Sequence, residues 1–264
     1  MFSISSQGTH YELSGSESAP VLILIHGLGL NLQTWDAFVP ALAERYRVLR
    51  YDLLGHGQST HPEEPISLSS FSQQLSALIT ELQLESLNLI GFSLGGMINR
   101  RFAMDYPELV NSLVILNSPH QRSEAEQAKV ETRAQDSAAE GPGANLDTTI
   151  NRWFTSEFIR QNPETINQIR DWVMSNAPEV YAQSRMVLAK GVLELIKPTP
   201  PLAVPALVMT CENDSGSTPQ MSEKIAFEIS ASHLKIIPSL QHMGLVEQPK
   251  LFLEPLLSFL KSTT

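Results

Sequence analysis

The sequence predicts an α/β protein in which a mostly parallel central sheet carries helices on both faces and a helical cap is inserted between two strands. Two observations support this fold class. Short apolar runs alternate with longer segments of helical periodicity, which is the pattern of parallel strands joined by crossover helices. The stretch 120–201 interrupts this alternation and contains only helix-compatible sequence. We therefore expect a core formed by residues 1–119 and 202–264 and a cap formed by residues 120–201.

Six apolar runs have the length and composition of buried strands. Most are rich in Leu or β-branched residues at every position, as expected for strands covered by helices on both faces. The predicted strands are 21–25, 47–52, 87–92, 113–117, 206–211 and 234–238. Two weaker runs, 2–5 and 9–13, predict an antiparallel start to the sheet.

Segments of helical periodicity separate or follow these strands. The predicted helices are 32–45, 68–84, 94–106, 218–230 and 249–261. Pro107 directly follows the third of them and is expected to end it, because proline cannot continue a helix.

The predicted cap begins with the polar segment 124–140 and continues with large apolar side chains. These are Trp153, Phe154, Phe158, Trp172, Met174, Tyr181 and Met186. Most are expected to form the core of the cap itself. Trp153 and Met186 are predicted to line a substrate pocket as well.

Composition and motifs exclude several classes of function. Eighteen basic and 28 acidic side chains give a formal net charge of −10, so neither nucleic acid nor a membrane surface is a predicted partner. The single cysteine, Cys211, leaves no internal disulfide, and no Cys/His cluster predicts a metal. No G-x-G-x-x-G motif opens a helix after a strand, so no dinucleotide site is predicted. The chemistry inferred below implies no cofactor. The start of the chain has no secretory pattern and no apolar run reaches the roughly 20 residues that span a bilayer, which predicts a cytoplasmic protein.

Ser93 is the predicted nucleophile. The segment 91–95, Gly-Phe-Ser-Leu-Gly, fits the G-x-S-x-G pattern and lies between a predicted strand and a predicted helix. At such a turn the hydroxyl projects beyond the sheet edge, and the helix N-terminus favours developing negative charge. The alternative is an ordinary strand–turn–helix connection made of small residues.

His242 is the predicted base. A serine nucleophile needs a histidine to accept its proton, and functional groups of a parallel sheet gather at the carboxyl ends of the strands. His242 follows the strand 234–238 at that edge, whereas His233 precedes the strand and belongs to the opposite edge. His120 also lies on the correct edge, but it leads into the cap without an acid to pair with, so it is predicted to contact substrate instead.

Asp214 is the predicted acid that orients this base. It follows the strand 206–211 and gives the chain order Ser, Asp, His. Glu212 is the nearest competitor and is otherwise an exposed loop carboxylate. Asp52, which precedes Ser93, is predicted to be a structural hydrogen-bond acceptor. The turn 26–29, His-Gly-Leu-Gly, can direct backbone N–H groups at an oxyanion together with the N–H of Leu94.

Together these motifs resemble the α/β-hydrolase superfamily, and the resemblance covers nearly the whole chain. It is carried by the segments 26–29, 51–59, 91–96 and 214–219, and by His242 with its following residues. The resemblance implies an α/β-hydrolase fold with a Ser93, Asp214, His242 triad. It also implies that the backbone N–H groups of Leu28 and Leu94 form the oxyanion hole.

The segment 151–182 is similar to the helical cap of 3-oxoadipate enol-lactonases. This narrower resemblance implies hydrolysis of an enol-lactone that carries a carboxylate. Such a substrate needs cationic anchors, and a solvated helix surface is the alternative role for each candidate. The candidates in the cap are Arg122, Arg133, Arg152 and Arg185.

The sequence therefore predicts a serine hydrolase that cleaves a small carboxylic ester or lactone through an acyl-enzyme. The same triad also serves short-chain carboxylesterases, thioesterases, carbon–carbon bond hydrolases and cofactor-free perhydrolases. A module that binds a small ligand without turning it over is the alternative of a different class. Epoxide and haloalkane hydrolases are disfavoured because they use an aspartate where this chain has Ser93. Homo-oligomer formation is left open.

Overall fold

The computed structural model describes residues 2–263. Eight strands within this range form one sheet in the order β1-β2-β4-β3-β5-β6-β7-β8. Strand β2 pairs antiparallel with β1 and β4, and all other neighbouring strands are parallel. The strands are β1 (Phe2–Ile4), β2 (His10–Ser14), β3 (Val21–Ile25), β4 (Arg47–Tyr51), β5 (Leu87–Phe92), β6 (Val110–Leu116), β7 (Ala206–Cys211) and β8 (Ser232–Ile237). The predicted α/β class with a mostly parallel sheet is confirmed.

Burial along the central strands shows that helices cover both faces of the sheet. Every residue of β3, β5 and β7 is buried, and successive side chains of a strand point to opposite faces. These three strands have the predicted bounds. Strand β6 begins earlier than predicted, at Val110, because its polar residues pair with β5; Ser112 Oγ donates to Asn88 Oδ1 at 2.7 Å.

The helices of the core are α1 (Val39–Ala43), α2 (Leu68–Glu81), α3 (Leu94–Asp105), α9 (Pro219–Glu228), α10 (Gly244–Glu247) and α11 (Pro249–Thr263). Four of the five helices predicted for the core are present as α2, α3, α9 and α11, and the short helix α10 was not predicted. The single predicted helix 32–45 is wrong: a 3-10 turn at Leu32–Trp35 is followed by the short α1. Pro40 lies in the first turn of α1, where a missing N–H removes no helical bond.

Five helices and a 3-10 turn occupy the chain between β6 and β7. They are α4 (Glu124–Glu140), α5 (Leu146–Trp153), α6 (Ser156–Gln161), α7 (Pro163–Met174), α8 (Pro178–Lys190) and the turn Gly191–Leu195. Hydrogen bonds fix these helices to the core at separate places. Thr155 Oγ1 donates to Glu247 Oε2 at 2.7 Å, and Asn176 Nδ2 donates to the carbonyl of Gly29 at 3.1 Å. Within residues 2–263, none of the helices has the length and apolar character needed to span a membrane.

The parallel strands bring several chain segments to one edge of the sheet. The turn 26–29 follows β3, Ser93 follows β5, Asp214 follows β7 and His242 follows β8. Because the carboxyl ends of parallel strands share an edge, these segments meet beneath the helices α4–α8.

Candidate active site

Ser93 occupies a strained turn between β5 and α3. Its backbone has φ 56° and ψ −112°, a region that residues other than glycine seldom adopt and that costs about 1–3 kcal/mol. Two hydrogen bonds hold the turn in place. The Ser93 N–H donates to the carbonyl of Leu116 at 2.8 Å, and Ser118 Oγ donates to the carbonyl of Ser93 at 3.0 Å. The turn presents the hydroxyl to the cavity at the sheet edge.

The turn also depends on close backbone packing at Gly95. A Cβ atom at this position would overlap the carbonyl oxygen of Ile25, and a strand carbonyl cannot move aside without breaking the sheet. We expect Gly95→Ala to lower the free energy of unfolding by about 3 kcal/mol. Gly191→Ala is the control, because its Cβ would make only ordinary contacts. Urea unfolding of both variants measures the difference, and equal stabilities would contradict this account of the turn.

Ser93, His242 and Asp214 form a continuous hydrogen-bonded chain. The His242 Nε2 atom lies 3.1 Å from Ser93 Oγ, and His242 Nδ1 lies 2.7 Å from Asp214 Oδ2. A neutral imidazole that donates from Nδ1 to the carboxylate leaves Nε2 free to accept the serine proton. All three side chains are buried. The structure thus brings together the three residues that the sequence predicted.

Asp214 is held as a carboxylate by its surroundings. Burial opposes its ionisation, but the interaction with His242, the hydrogen bond from Asn117 and that from the Ser217 N–H outweigh burial and keep its pKa below the usual range. Asn117 Nδ2 donates to Oδ2 at 2.9 Å, while the N–H groups of Gly216 and Ser217 each donate to Oδ1 at 2.9 Å. A charged, fixed acceptor is what the imidazole needs to keep one tautomer.

The structure places the competing acid and base residues away from Ser93. Glu212 is exposed and accepts the N–H of Ser239 at 2.9 Å. His233 is the second residue of β8, so it lies at the amino end of that strand. The Asp52 carboxylate accepts the N–H groups of Leu32 and Gln58 and therefore braces loops.

Leu28 and Leu94 lie on either side of Ser93. Leu28 lines the cavity, and a Cβ atom on the adjacent Gly27 would lie 3.3 Å from that of Ser93. Leu94 is the first residue of α3, where backbone N–H groups have no acceptor within the helix. His26 Nδ1 lies 2.8 Å from the Gly27 carbonyl, so its ring braces this turn as predicted for a packed loop residue.

The cavity above Ser93 encloses about 810 Å³ of empty space, part of it open to solvent. Two of the predicted substrate-contacting residues, Arg133 and Trp153, line it, and the Trp153 ring lies 6.1 Å from that of His242. The wall also contains the three other arginines that the sequence offered as cationic anchors: Arg122, Arg152 and Arg185.

Two predicted substrate-contacting residues lie elsewhere, which corrects the sequence-based placement. Met186 lines a separate surface recess with Ile66 and Lys190, because α8 directs this side chain away from the sheet edge. His120 is buried beside α9 instead of in the cavity, with its Nε2 atom 3.2 Å from Glu228 Oε2. Its neighbour Pro119 faces the cavity instead.

Sequence reasoning missed the role of Asn117 and the support behind Ser93. Asn117 directly follows β6 at the functional edge of the sheet, so its position was the available signal. Arg100 Nη2 donates to Ser118 Oγ at 3.1 Å and thereby fixes the hydroxyl that bonds to Ser93. No sequence pattern pointed to this pair.

Among residues 2–263, no three His, Cys, Asp or Glu side chains are grouped so that they could hold a metal ion. Burial raises the pKa of the Cys211 thiol to about 12, so it is protonated at neutral pH.

The fold and the arrangement of this edge define a hydrolase of the α/β class. The chain belongs to the α/β-hydrolase fold family, whose family model matches residues 20–249.

The relatives of this chain include proteins that are named as lactonases and hydrolases. The chain is 28% identical over 243 residues to 3-oxoadipate enol-lactonase 2 of Acinetobacter baylyi, covering 92% of this chain and 89% of that protein. It is 26% identical over 260 residues to the (E)-2-((N-methylformamido)methylene)succinate hydrolase of the same organism, covering 98% and 97%. Among solved structures, the enol-lactonase from Burkholderia xenovorans superposes with a TM-score of 0.89 at 26% identity, covering 99% of this chain and all of that one.

Proposed function

We propose that this protein is a serine hydrolase that cleaves a carboxylic ester or lactone through an acyl-enzyme intermediate. The observation that carries the proposal is the hydrogen-bonded chain from Ser93 Oγ through His242 to Asp214. This arrangement provides a nucleophile, a base that accepts its proton, and a carboxylate that fixes the base.

The reaction begins when Ser93 Oγ attacks the substrate carbonyl and its proton passes to His242 Nε2. The resulting oxyanion accepts hydrogen bonds from the N–H groups of Leu28 and Leu94. Collapse of this intermediate breaks the bond to the leaving oxygen, which takes the proton from His242. Water then gives a proton to His242 and attacks the acyl group, which releases the acid and restores Ser93.

For the natural substrate we propose an enol-lactone that carries a carboxylate, such as 3-oxoadipate enol-lactone. Full-length similarity to proteins named for this activity supports the choice. The arginines in the cavity wall also support it, because guanidinium groups bind carboxylates with two parallel hydrogen bonds.

Labelling with a fluorophosphonate tests the proposed chemistry, since only an activated serine reacts readily. We expect mass spectrometry to find one label, on Ser93, and we expect no label after His242→Gln. His120→Gln is the matched control, because His120 lies outside the cavity, and it should label like the wild type. Absence of labelling in the wild-type protein would indicate a module that binds its ligand without turning it over.

A panel of substrates tests the narrower assignment. It contains 3-oxoadipate enol-lactone, short p-nitrophenyl esters and the corresponding thioesters. We expect the enol-lactone to have the highest kcat/KM. If the simple esters react and the enol-lactone does not, the protein is a general carboxylesterase and the lactonase assignment is wrong.

A further inference from the structure

Four arginines of the helices and loop above Ser93 line one cavity in a protein that is otherwise strongly acidic. We call this set, Arg122, Arg133, Arg152 and Arg185, the arginine cluster. The whole chain has 18 basic side chains and a formal net charge of −10. A concentration of positive charge beside the nucleophile is therefore a local feature and does not follow from composition.

Within residues 2–263, no ion pair joins the arginine cluster to a carboxylate, although the charge of Glu126 acts on Arg122 and that of Asp214 acts on Arg152. In the part of the chain described, residues 2–263, no carboxylate oxygen lies within 4.0 Å of these four guanidiniums. Arg185 donates to Tyr181 Oη at 3.0 Å, and Arg122 donates to the carbonyl of Ala189 at 3.2 Å. By contrast, Arg101 and Arg170 outside the cavity both pair with aspartates.

The members of the cluster also repel one another. Burial lowers the pKa of Arg152, and the charges of Arg133 and Arg185 lower it further. Burial likewise lowers the pKa of Arg122. Arginine nonetheless stays protonated at neutral pH, so the cavity wall holds like charges that an anionic ligand would neutralise. Charges of one sign in a partly buried site raise the affinity for the opposite sign.

The net positive charge of the cavity wall is larger than one carboxylate can neutralise. Four arginines and one acidic residue, Asp214, line the cavity, and the Asp214 carboxylate is already occupied by His242 and backbone N–H groups. The residues that line the cavity therefore have an excess of three positive charges. A substrate with one carboxylate leaves two of these charges unmatched.

Two members of the cluster lie beside different loops around Ser93. Arg185 bonds to Tyr181, whose ring packs against Gly29 in the turn that contains Leu28. Arg152 lies beside Gly216 in the loop that contains Asp214; its Nη1 would be 3.5 Å from a Cβ atom at that glycine. The two guanidiniums therefore have different neighbours, and each can bind a carboxylate of its own.

We infer that the arginine cluster selects esters or lactones that carry two carboxylates besides the bond that is cleaved. This inference rests on the proposed role of Ser93 as nucleophile. It keeps the proposed class of carboxylate-bearing substrates and adds that a member with two free carboxylates binds more tightly than 3-oxoadipate enol-lactone, which has one. Each carboxylate that gains a guanidinium partner adds roughly tenfold or more to affinity, because charge-assisted hydrogen bonds are the strong ones.

The test measures how well unreactive amides protect Ser93 from fluorophosphonate labelling. Butyramide, glutaramate and the 1-amide of tricarballylate share one acyl chain and carry no, one and two carboxylates. We expect the apparent Kd to fall at least tenfold from the neutral to the singly charged amide, and at least tenfold again to the doubly charged one. Added salt should weaken the doubly charged amide most. This measurement at added salt uses only the wild-type protein.

Variants assign the effect to the cluster. Arg152→Gln and Arg185→Gln should each reduce at least tenfold the ratio by which the doubly charged amide is preferred over the neutral one, and Arg152→Lys should restore part of it. Arg160→Gln, an exposed arginine outside the cavity, is the control and should leave the ratio unchanged. Far-ultraviolet circular dichroism checks that each variant is folded.

The two proposals fail in different ways. If the wild-type protein labels at Ser93 but the doubly charged amide protects no better than glutaramate, the inference about two carboxylates is overturned and the serine hydrolase remains. If Ser93 does not label at all, the proposed function itself is wrong. Equal protection by all three amides would indicate that the arginine cluster serves the solvated surface of the cap.

Discussion

Replacing Ser93 by alanine is expected to lower kcat/KM for any ester or lactone that the protein hydrolyses by roughly 10⁴- to 10⁶-fold. The reason is that the variant has no oxygen to attack the carbonyl, so no acyl-enzyme forms. The residual rate comes from the oxyanion donors and from binding, which the substitution leaves in place.

The same variant is expected to remain folded. Alanine keeps the Cβ atom and the backbone conformation of the turn, and it removes only the 3.1 Å contact with His242. We expect the thermal midpoint to stay within a few degrees of the wild type, as for the loss of one hydrogen bond of about 1 kcal/mol. Initial rates and thermal unfolding of one preparation test both statements. Hydrolysis near the wild-type rate by the folded variant would disprove the role of Ser93.

Replacing Asp214 by asparagine is expected to lower kcat about 10⁴-fold. An asparagine amide can donate to His242 Nδ1, which would turn the imidazole into the tautomer whose Nε2 carries a proton. That nitrogen then cannot accept the proton of Ser93. Glu212→Gln is the matched control two residues earlier, because its carboxylate faces the N–H of Ser239 on the surface. A comparable loss in both variants would mean that the loop, and not the carboxylate, matters.

The Asp214 substitution should also change how stability depends on pH. The folded protein holds the pKa of this carboxyl below its ordinary value of 3.8, so the ionised group stabilises the fold above about that pH. This contribution is lost as the pH falls through the lower folded pKa. The difference in unfolding midpoint between the wild type and Asp214→Asn should therefore be greatest near neutral pH and shrink below pH ~4. Denaturant unfolding across this range measures it.

Local sequence patterns were enough to predict the central strands and the positions of Ser93, Asp214 and His242 at the edge of the sheet. The central strands are mostly apolar on both faces, and the connecting helices show helical periodicity, so both kinds of element can be located in the sequence. Their order along the chain then places Ser93, Asp214 and His242 after the ends of strands. Parallel strands end at one edge, and that topological fact alone brings distant residues together. The local pattern gave a wrong prediction at 32–45. Its helical periodicity continues across Pro40, but the chain forms a 3-10 turn followed by the short helix α1.

The tertiary structure alone decided which side chains of the helices α4–α8 face Ser93. Arg185 and Met186 are neighbours on α8, yet Arg185 lines the cavity and Met186 lines a recess on another side. Successive residues of a helix point about 100° apart, and α8 is packed on more than one side, so its sequence period does not say which side meets the sheet edge. The same holds for Asn117, whose partner Asp214 is distant in sequence. Sequence determined the scaffold and the order of the reactive groups, while the surroundings that set charge and selectivity arose from packing between segments far apart in the chain.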